Sequence, residues 1–233
     1  MKQTMRRTPK SAPEIDEMVY DRLSNALMEG KLRAGTKLAE HKLADALGVS
    51  RERVRKALHR LAADRRIDII PNRGARVPSP SAEEIRAVYQ AHRTLEAGVL
   101  LQLGTSLSEA MLTSLEQHLH KERDAARAND RALSVRLSGE FHILLVDALD
   151  NAELSRFIRD LLSRSSIMVS LYEHSGHSAC GVDEHAAIVE ALRKGDPMSA
   201  VALSRDHFTH VQERLDFPAA DSAPVNFQDI FQS

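Results

Sequence analysis

Residues 38–77 read LAEHKLADALGVSRERVRKALHRLAADRRIDIIPNRGARV, and their pattern decides the fold of the first third of the chain. Leu43, Ala44 and Leu47 share one face of a helix that starts at Glu40, and Gly48 stands where a left-handed cap ends it. Ser50 is placed to cap a second helix, whose stripe Val54, Ala57, Leu58 and Leu61 packs inward while Arg51, Arg55, Lys56 and His59 project elsewhere. Ile67, Ile69 and Ile70 then give a strand-like run, Pro71-Asn72-Arg73-Gly74 supplies a turn, and Ala75 to Val77 returns as a second strand. Helix, tight turn, basic helix and hairpin together make a winged helix-turn-helix. Such a helix fits the major groove of DNA, where guanidinium groups near its start reach guanine O6 and N7. A basic helix alone is more often a solvated face, but the adjoining turn and wing reverse that balance.

The stretch LAEHKLADALGVSRERVRKALHRL followed by PNRGARV resembles the DNA-binding domain of GntR-family bacterial regulators, over about residues 19–78. The resemblance implies base and phosphate contacts for Arg51 and Arg55, and groove or backbone contact for Asn72, Arg73 and Gly74 at the wing tip. Three places depart from the family pattern: His41 where arginine is usual, Glu52-Arg53 where a Thr-Pro pair is usual, and Lys56 where glutamate is usual. They bear on the operator sequence, since Glu52 can accept from cytosine N4 and Arg53 adds a donor. The expected DNA-contacting set is therefore His41, Lys42, Arg51, Glu52, Arg53, Arg55, Asn72, Arg73 and Gly74.

The chain of 233 residues, 42% of them hydrophobic, is long enough for two domains with real cores. Its net charge of −1 hides a split: residues 1–80 hold 18 Lys+Arg against 10 Asp+Glu, and residues 81–233 hold 14 against 23. A basic module that meets phosphate is joined to an acidic module with another task. Cys180 is the single cysteine, which excludes an intrachain disulfide and a cysteine-based zinc site. No apolar run has the length of a membrane span or the place of a signal peptide, so the cytoplasm is the expected location and no membrane partner is expected. Residues 1–13, with Arg6 and Arg7, read as a flexible arm, residues 14–78 as the DNA-binding domain, 79–217 as an all-helical domain and 218–233 as a disordered tail. Phe227, Ile230 and Phe231 in the tail are candidates for docking on a partner chain.

Pro78-Ser79-Pro80 breaks the chain, and Ser81-Ala82-Glu83-Glu84 is a capping box that opens the second domain. Beyond it, period and caps predict six helices at about 81–103, 107–128, 131–149, 152–174, 182–194 and 197–216, with Ser106 and Glu109 as a second capping box. The fold class is thus mostly α: a winged helix-turn-helix followed by a helical bundle. No phosphate-binding glycine loop or nucleophile elbow occurs.

Nine of the eleven histidines lie beyond residue 81. His142, His185 and His207 sit on different predicted helices with apolar flanks, and a bundle can bring three such imidazoles to one divalent ion, leaving a position for a carboxylate. Spacing alone favours ordinary core or surface histidines, because no short-range ligand pair is present. Residues from about 82 to 215 resemble the FCD ligand-binding domain of the FadR-type branch, by Phe141-His142, Glu184-His185 and the histidine eleven residues after Asp196-Pro197. The resemblance implies a metal at His142, His185 and His207, zinc, nickel or manganese, and an aspartate one turn before the first histidine. Here Ser138 holds that place, so a water or the effector fills it, or no metal binds. His92 stands where many family members carry an effector-binding arginine. Arg93 supplies a guanidinium instead, but one step turns it by about 100° around the helix. The candidate effector-binding set is His92, Arg93 and Ser138, and Glu96 reads as an ordinary helix-pairing carboxylate.

The chain thus reads as a homodimeric regulator, a repressor by family default, that binds double-stranded operator DNA under control of a small carboxylate effector. Two other classes are a three-histidine metallohydrolase, with Glu140 or Glu184 as base, and a nonspecific DNA-binding protein.

Overall fold

The computed structural model describes residues 11–104, 107–173, 180–216 and 225–232. The expected contacts of Arg6 and Arg7, the Ser106 cap, and residues 217–224 of the tail lie outside them.

Helix α1 (Ala12–Met28) starts two residues before the expected point, because Ser11 and Glu14 form a capping box in which the Ser11 amide donates to Glu14. Helix α2 (Glu40–Leu47) ends at Gly48 in the left-handed conformation, and α3 (Arg51–Ala63) begins at Ser50, whose hydroxyl accepts from the Arg53 amide. The wing is a hairpin of β2 (Asp68–Ile70) and β3 (Gly74–Arg76), in which Ile70 pairs with Gly74. Asn72 and Gly74 take positive φ values of 60° and 82°, as a tight turn between short strands requires. A third strand, β1 (Lys37–Leu38), pairs antiparallel with β3 and makes it the centre of the sheet. Two residues are too few to show strand alternation in a sequence.

Six helices follow, as expected: α4 (Ala82–Leu103), α5 (Glu109–Arg127), α6 (Arg131–Asp147), α7 (Ala152–Tyr172), α8 (Cys180–Arg193) and α9 (Pro197–Glu213). Ser81 and Glu84 form the predicted capping box of α4, and α5 is capped by Ser108, which accepts from the Met111 amide. Phe141, Leu145, Ile158, Leu162, Ile188 and Leu192 fill the core of this bundle. Helix α4 packs against α7 and α9, and α8 against α5 and α9, so α9 is flanked on two sides.

Part of the segment expected to be a disordered tail is ordered. Phe227–Phe231 forms a short helix, α10, capped by Asn226, and its Phe227 and Phe231 are buried in the core of the DNA-binding unit. Arg22 donates to the Phe231 carbonyl and its guanidinium lies 5.6 Å from that ring's centre. The apolar residues 227, 230 and 231 have the i, i+3, i+4 spacing of a helical face, a signal too short to distinguish from scatter.

The two halves share a packed boundary. Val135 of α6 and Ile167 of α7 belong to the same buried cluster as Leu23, Leu27 and Leu61 of the DNA-binding unit. Gly30, at φ +69°, comes so close to α7 that a Cβ there would sit 2.6 Å from the Ser170 carbonyl oxygen. Gly35 has a similar φ of +74° with open space around it. Gly30→Ala is therefore expected to destabilise the protein by roughly 2–4 kcal/mol, and Gly35→Ala by about 1 kcal/mol, through backbone strain alone. Urea unfolding of the two variants checks the difference, and equal losses would show that the close approach to α7 costs nothing.

Candidate functional site

The basic helix α3 has two flanks with different work. Arg53 donates to Asp16 at 2.6 Å and to the Ala12 carbonyl at 2.8 Å, Lys56 reaches the other oxygen of Asp16 at 2.6 Å, and Arg60 pairs with Glu17 at 2.5 Å. Arg60 also lies over the Tyr20 ring, 3.8 Å from its centre, and the Tyr20 hydroxyl donates to Asp64. Positions 53, 56 and 60 thus form a stripe that fastens α3 to α1. Arg53, expected to contact DNA, has its guanidinium engaged by Asp16 and the Ala12 carbonyl, because Asp16 lies one helix away at the right height. Arg51, Glu52, His59 and Arg55 are exposed on the other flank, with Arg55 held in a two-pronged pair by Glu40 at 2.8 and 2.9 Å. His41 and Lys42 are exposed at the start of α2, and Asn72, Arg73 and Gly74 are exposed at the wing tip.

In the second domain the three singled-out histidines do converge. His142, His185 and His207 are buried, on α6, α8 and α9, and offer ligand atoms that all lie within 4.8 Å of one another. Each is oriented by a carboxylate on Nδ1: Glu96 at 2.6 Å from His142, Glu122 at 3.0 Å from His185, and Glu184 at 2.7 Å from His207. A neutral imidazole whose Nδ1 donates to a carboxylate presents a lone pair at Nε2. The Nε2 atoms of His185 and His207 face each other at 3.4 Å. Two acceptors at that distance repel unless a proton or a cation stands between them, and second-shell carboxylates of this kind are what metal-binding imidazoles use. The residues therefore fit a divalent ion with nitrogen ligands. Ser138 and Gly181 stand beside the cluster: a Cβ at Gly181 would lie 3.8 Å from Ser138 Oγ and from the His185 ring, so a small residue keeps space there.

The electrostatics agree. Burial works against the charge of Glu96, but His142 and the Ser204 hydroxyl, which donates at 2.6 Å, hold its carboxyl at about 2. Burial likewise opposes the charge of Glu122 and Glu184, and the hydrogen bonds from His118 and His185, and from His207 and His210, bring each to about 2. Burial lowers His185, and lowers His207 to about 3, where the neighbouring imidazoles add to the effect. Ionised carboxylates beside neutral imidazoles are the protonation states that metal ligation needs.

A cavity of about 90 Å³ opens beside the cluster, lined among others by Tyr89, Ser134, Ser138, Ser165, Phe208 and Arg214. The two predicted basic groups are not in its wall. His92 is buried, stacked on Phe208 at 4.8 Å with Nε2 on Ser165 Oγ at 3.1 Å, and burial lowers it to about 4, so it is neutral at pH 7. Arg93 lies a step around the helix and donates to Gln212. The guanidinium at the cavity belongs to Arg214, just past α9, which donates to Glu173 at 3.1 Å. Sequence reading missed Arg214 and set Glu96 aside. Glu96 was legible in part, since it falls on the buried stripe Ile85, Tyr89, His92, Glu96, Val99 and Leu103 of α4. A glutamate on an otherwise apolar helical face needs a buried partner.

These two sites define a DNA-binding protein with a ligand-binding helical domain, and comparison with known proteins gives its family. Residues 15–77 match the family described as bacterial regulatory proteins of the gntR family, and residues 87–210 match the FCD domain. The chain belongs to the GntR family, in the branch with an FCD domain, and is a transcription regulator rather than an enzyme. It is 26% identical over 202 residues to the transcriptional repressor RspR of Escherichia coli K12, covering 86% of this chain and 89% of the relative. It is 27% identical over 233 residues to the repressor NanR of Enterobacter sp. 638, covering 89% and 88%. Among solved structures, a protein from Rhodococcus sp. RHA1 described as a GntR transcriptional regulator superposes with a TM-score of 0.68 at 23% identity, covering 85% of this chain and 96% of that one. Escherichia coli McbR/YncC gives 0.64 at 21%, covering 85% and 93%. At these identities the two structures establish the shared fold.

The acid response of the metal-free protein follows from the histidines and glutamates together. His92 and His207 bind their protons in the unfolded chain first, so the stability they contribute is complete above about pH 6.5 and falls as pH drops through 6.5 toward 4 and 3. Glu96, Glu122 and Glu184 contribute stability above about pH 4.5 that is lost toward 2. Urea unfolding of chelator-treated protein should show stability rising with pH from about 4 to 7. A flat profile over that range would contradict the neutral buried imidazoles.

Proposed function

We propose that this regulator is a homodimeric repressor of the cytoplasm that releases operator DNA when a small organic acid binds at the three-histidine centre. The observation that carries the reading is the convergence of His142, His185 and His207, each fixed by a glutamate, at the edge of a cavity. A zinc, nickel or manganese ion held by the three imidazoles supplies a positive centre for a carboxylate. His142, His185 and His207 hold the ion, Glu96, Glu122 and Glu184 fix the rings, and Ser138 contributes a neutral oxygen in place of an acid. With neutral Ser138 where the family pattern has an aspartate, a metal held here would keep one more positive charge, which favours an anionic effector.

Operator recognition falls to Arg51, Glu52 and Arg55 on the exposed flank of α3, with His41, Lys42 and the wing residues Asn72, Arg73 and Gly74 around them. One short helix reads few bases, so two copies on a near-palindromic site supply the remaining specificity. The names of relatives such as RspR and NanR support repression. Coupling has a physical route, because α7 lines the cavity with Ser165, Ser166, Val169 and Glu173 and meets the DNA-binding unit through Ile167 and Ser170. An effector that binds one arrangement of α7 better than the other shifts the population of DNA-competent dimers. Hydrolysis is disfavoured by the same geometry: Glu140 is exposed, and Glu184 is engaged by His207 and His210, leaving neither as a general base.

Arg55→Ala should weaken operator binding by roughly 1–3 kcal/mol with little change in folding, whereas Arg53→Ala should mainly destabilise the DNA-binding unit by about 1 kcal/mol. Gel-shift titration at fixed salt and thermal melting separate the two; intact DNA binding in Arg55→Ala rejects its assigned role. For the metal, elemental analysis of untagged protein purified without chelator should give close to one divalent ion per chain, lost in His185→Ala. A metal content near zero under metal-replete conditions rejects the metal-centred reading.

A further inference from the structure

The cavity has two polar ends, and the histidine cluster accounts for only one. Tyr89, a residue of the cavity wall, is 1% exposed, and its buried hydroxyl has no hydrogen-bond partner among the described residues. Ser134, in the same wall, has a second buried hydroxyl, also unpartnered among the described residues. An orphaned buried hydroxyl loses its hydration without a replacement, and native proteins keep few of them without a reason. Two on one cavity wall mark a place where something else donates or accepts.

Charge points to the same end. Glu173 is 9% exposed and meets two guanidiniums, Arg214 at 3.1 Å and Arg131 at 4.0 Å, so the group carries one positive charge in excess. Arg131 also donates to the backbone carbonyls of Val169 and Glu173, which ties the start of α6 to the end of α7. Glu173 and Arg214 both act electrostatically on Tyr89, and burial raises the phenol so that it stays a protonated donor. Three helices repeat one layout. Tyr89 precedes Glu96 by seven residues on α4, Ser134 precedes His142 by eight on α6, and Arg214, at the C-terminal cap of α9, follows His207 by seven. At about 1.5 Å per residue these offsets put the second polar group roughly 10–12 Å along the helix axes from the histidine end. Side chains reaching inward from both ends shorten that gap to the length of a small molecule.

We infer that Tyr89, Ser134 and Arg214 form a distal subsite that binds a second oxygen function, at the end of the effector opposite the carboxylate held by the histidine centre. The inference rests on the acid-binding reading of that centre and narrows its ligand class to small acids with oxygen at both ends, diacids or terminally hydroxylated acids. The Tyr89 phenol and Ser134 hydroxyl donate to the distal oxygen, and the excess positive charge of the Arg131–Glu173–Arg214 group favours an anionic oxygen there. Size agrees: where one water needs roughly 10–15 Å³, the cavity of about 90 Å³ takes on the order of six water-sized groups.

The test is calorimetric titration of the zinc-loaded full chain with straight-chain monoacids, terminal hydroxy acids and diacids of matched length, roughly four to six carbons. At the best-fitting length the diacid should bind about tenfold or more tighter than the monoacid, with the hydroxy acid between them. Tyr89→Phe and Ser134→Ala should each cut that ratio severalfold while leaving monoacid affinity and zinc content unchanged. Ligand-free Tyr89→Phe should melt no lower than the parent, because the lost hydroxyl had no partner, and a large fall in Tm would show instead that Tyr89 is structural and overturn its role. Equal affinities for monoacid and diacid at every length overturn the distal subsite while leaving the histidine centre standing. Failure of every acid to bind overturns both readings, and the zinc content then tells whether the metal or the acid was at fault.

Discussion

The bundle of the second domain is organised by three imidazole–carboxylate pairs, the buried Glu96–His142 and Glu122–His185 and the half-buried Glu184–His207. A carboxylate in the core of a helical domain is costly unless its charge is met by hydrogen bonds, and the imidazole Nδ1–H groups meet it. The pairs also fix ring orientation, leaving the three Nε2 atoms no other direction than toward a common point. That concentration of acceptors is strained in isolation and satisfied by a cation. The domain thus retains electrostatic frustration in its interior, and the neighbouring cavity allows a ligand to share in relieving it.

In the first domain the constraint is different in kind. A recognition helix must present cations to DNA while its own charges repel one another and its support is a single thin layer of apolar side chains. The chain divides the labour along α3: Arg53, Lys56 and Arg60 are neutralised by Asp16 and Glu17 of α1, and the opposite flank stays exposed. Placing two acids on the supporting helix turns potential repulsion into attachment. Individually such surface pairs contribute little, but the Arg60–Tyr20–Asp64 contacts join them into a network across the helix pair.

These domains meet along α7, whose cavity side carries Ser165, Ser166 and Glu173 and whose far side packs on the DNA-binding unit. Gly30 and Ser170 approach so closely that no side chain fits between them, so the boundary with α7 is tightly packed. Helix α10 adds a second attachment, carrying the C-terminal end of the chain back onto the DNA-binding unit through Phe227 and Phe231. Effector domain and reading head are therefore joined at both ends of the second domain, by the Pro78–Pro80 connection and by this returning helix.

The sequence by itself determined the winged helix-turn-helix and the six-helix bundle, because Gly48, Ser50, Ser81 and the apolar stripes are local signals that no distant contact needs to supply. It also singled out His142, His185 and His207, through their helical contexts and the resemblance those carried. Tertiary structure alone decided which acid each cation meets. Arg53 meets Asp16 of α1 and Arg55 meets Glu40 of α2, and neither pairing can be read from spacing along α3. Likewise Glu96 and Arg214 lie 118 positions apart; one proved to be a buried partner of a histidine and the other the cavity's guanidinium, because helix packing, rather than spacing along the chain, sets what each side chain faces. The periodicity of one helix shows that a face is buried, but the identity of what lies across from it belongs to the assembled bundle.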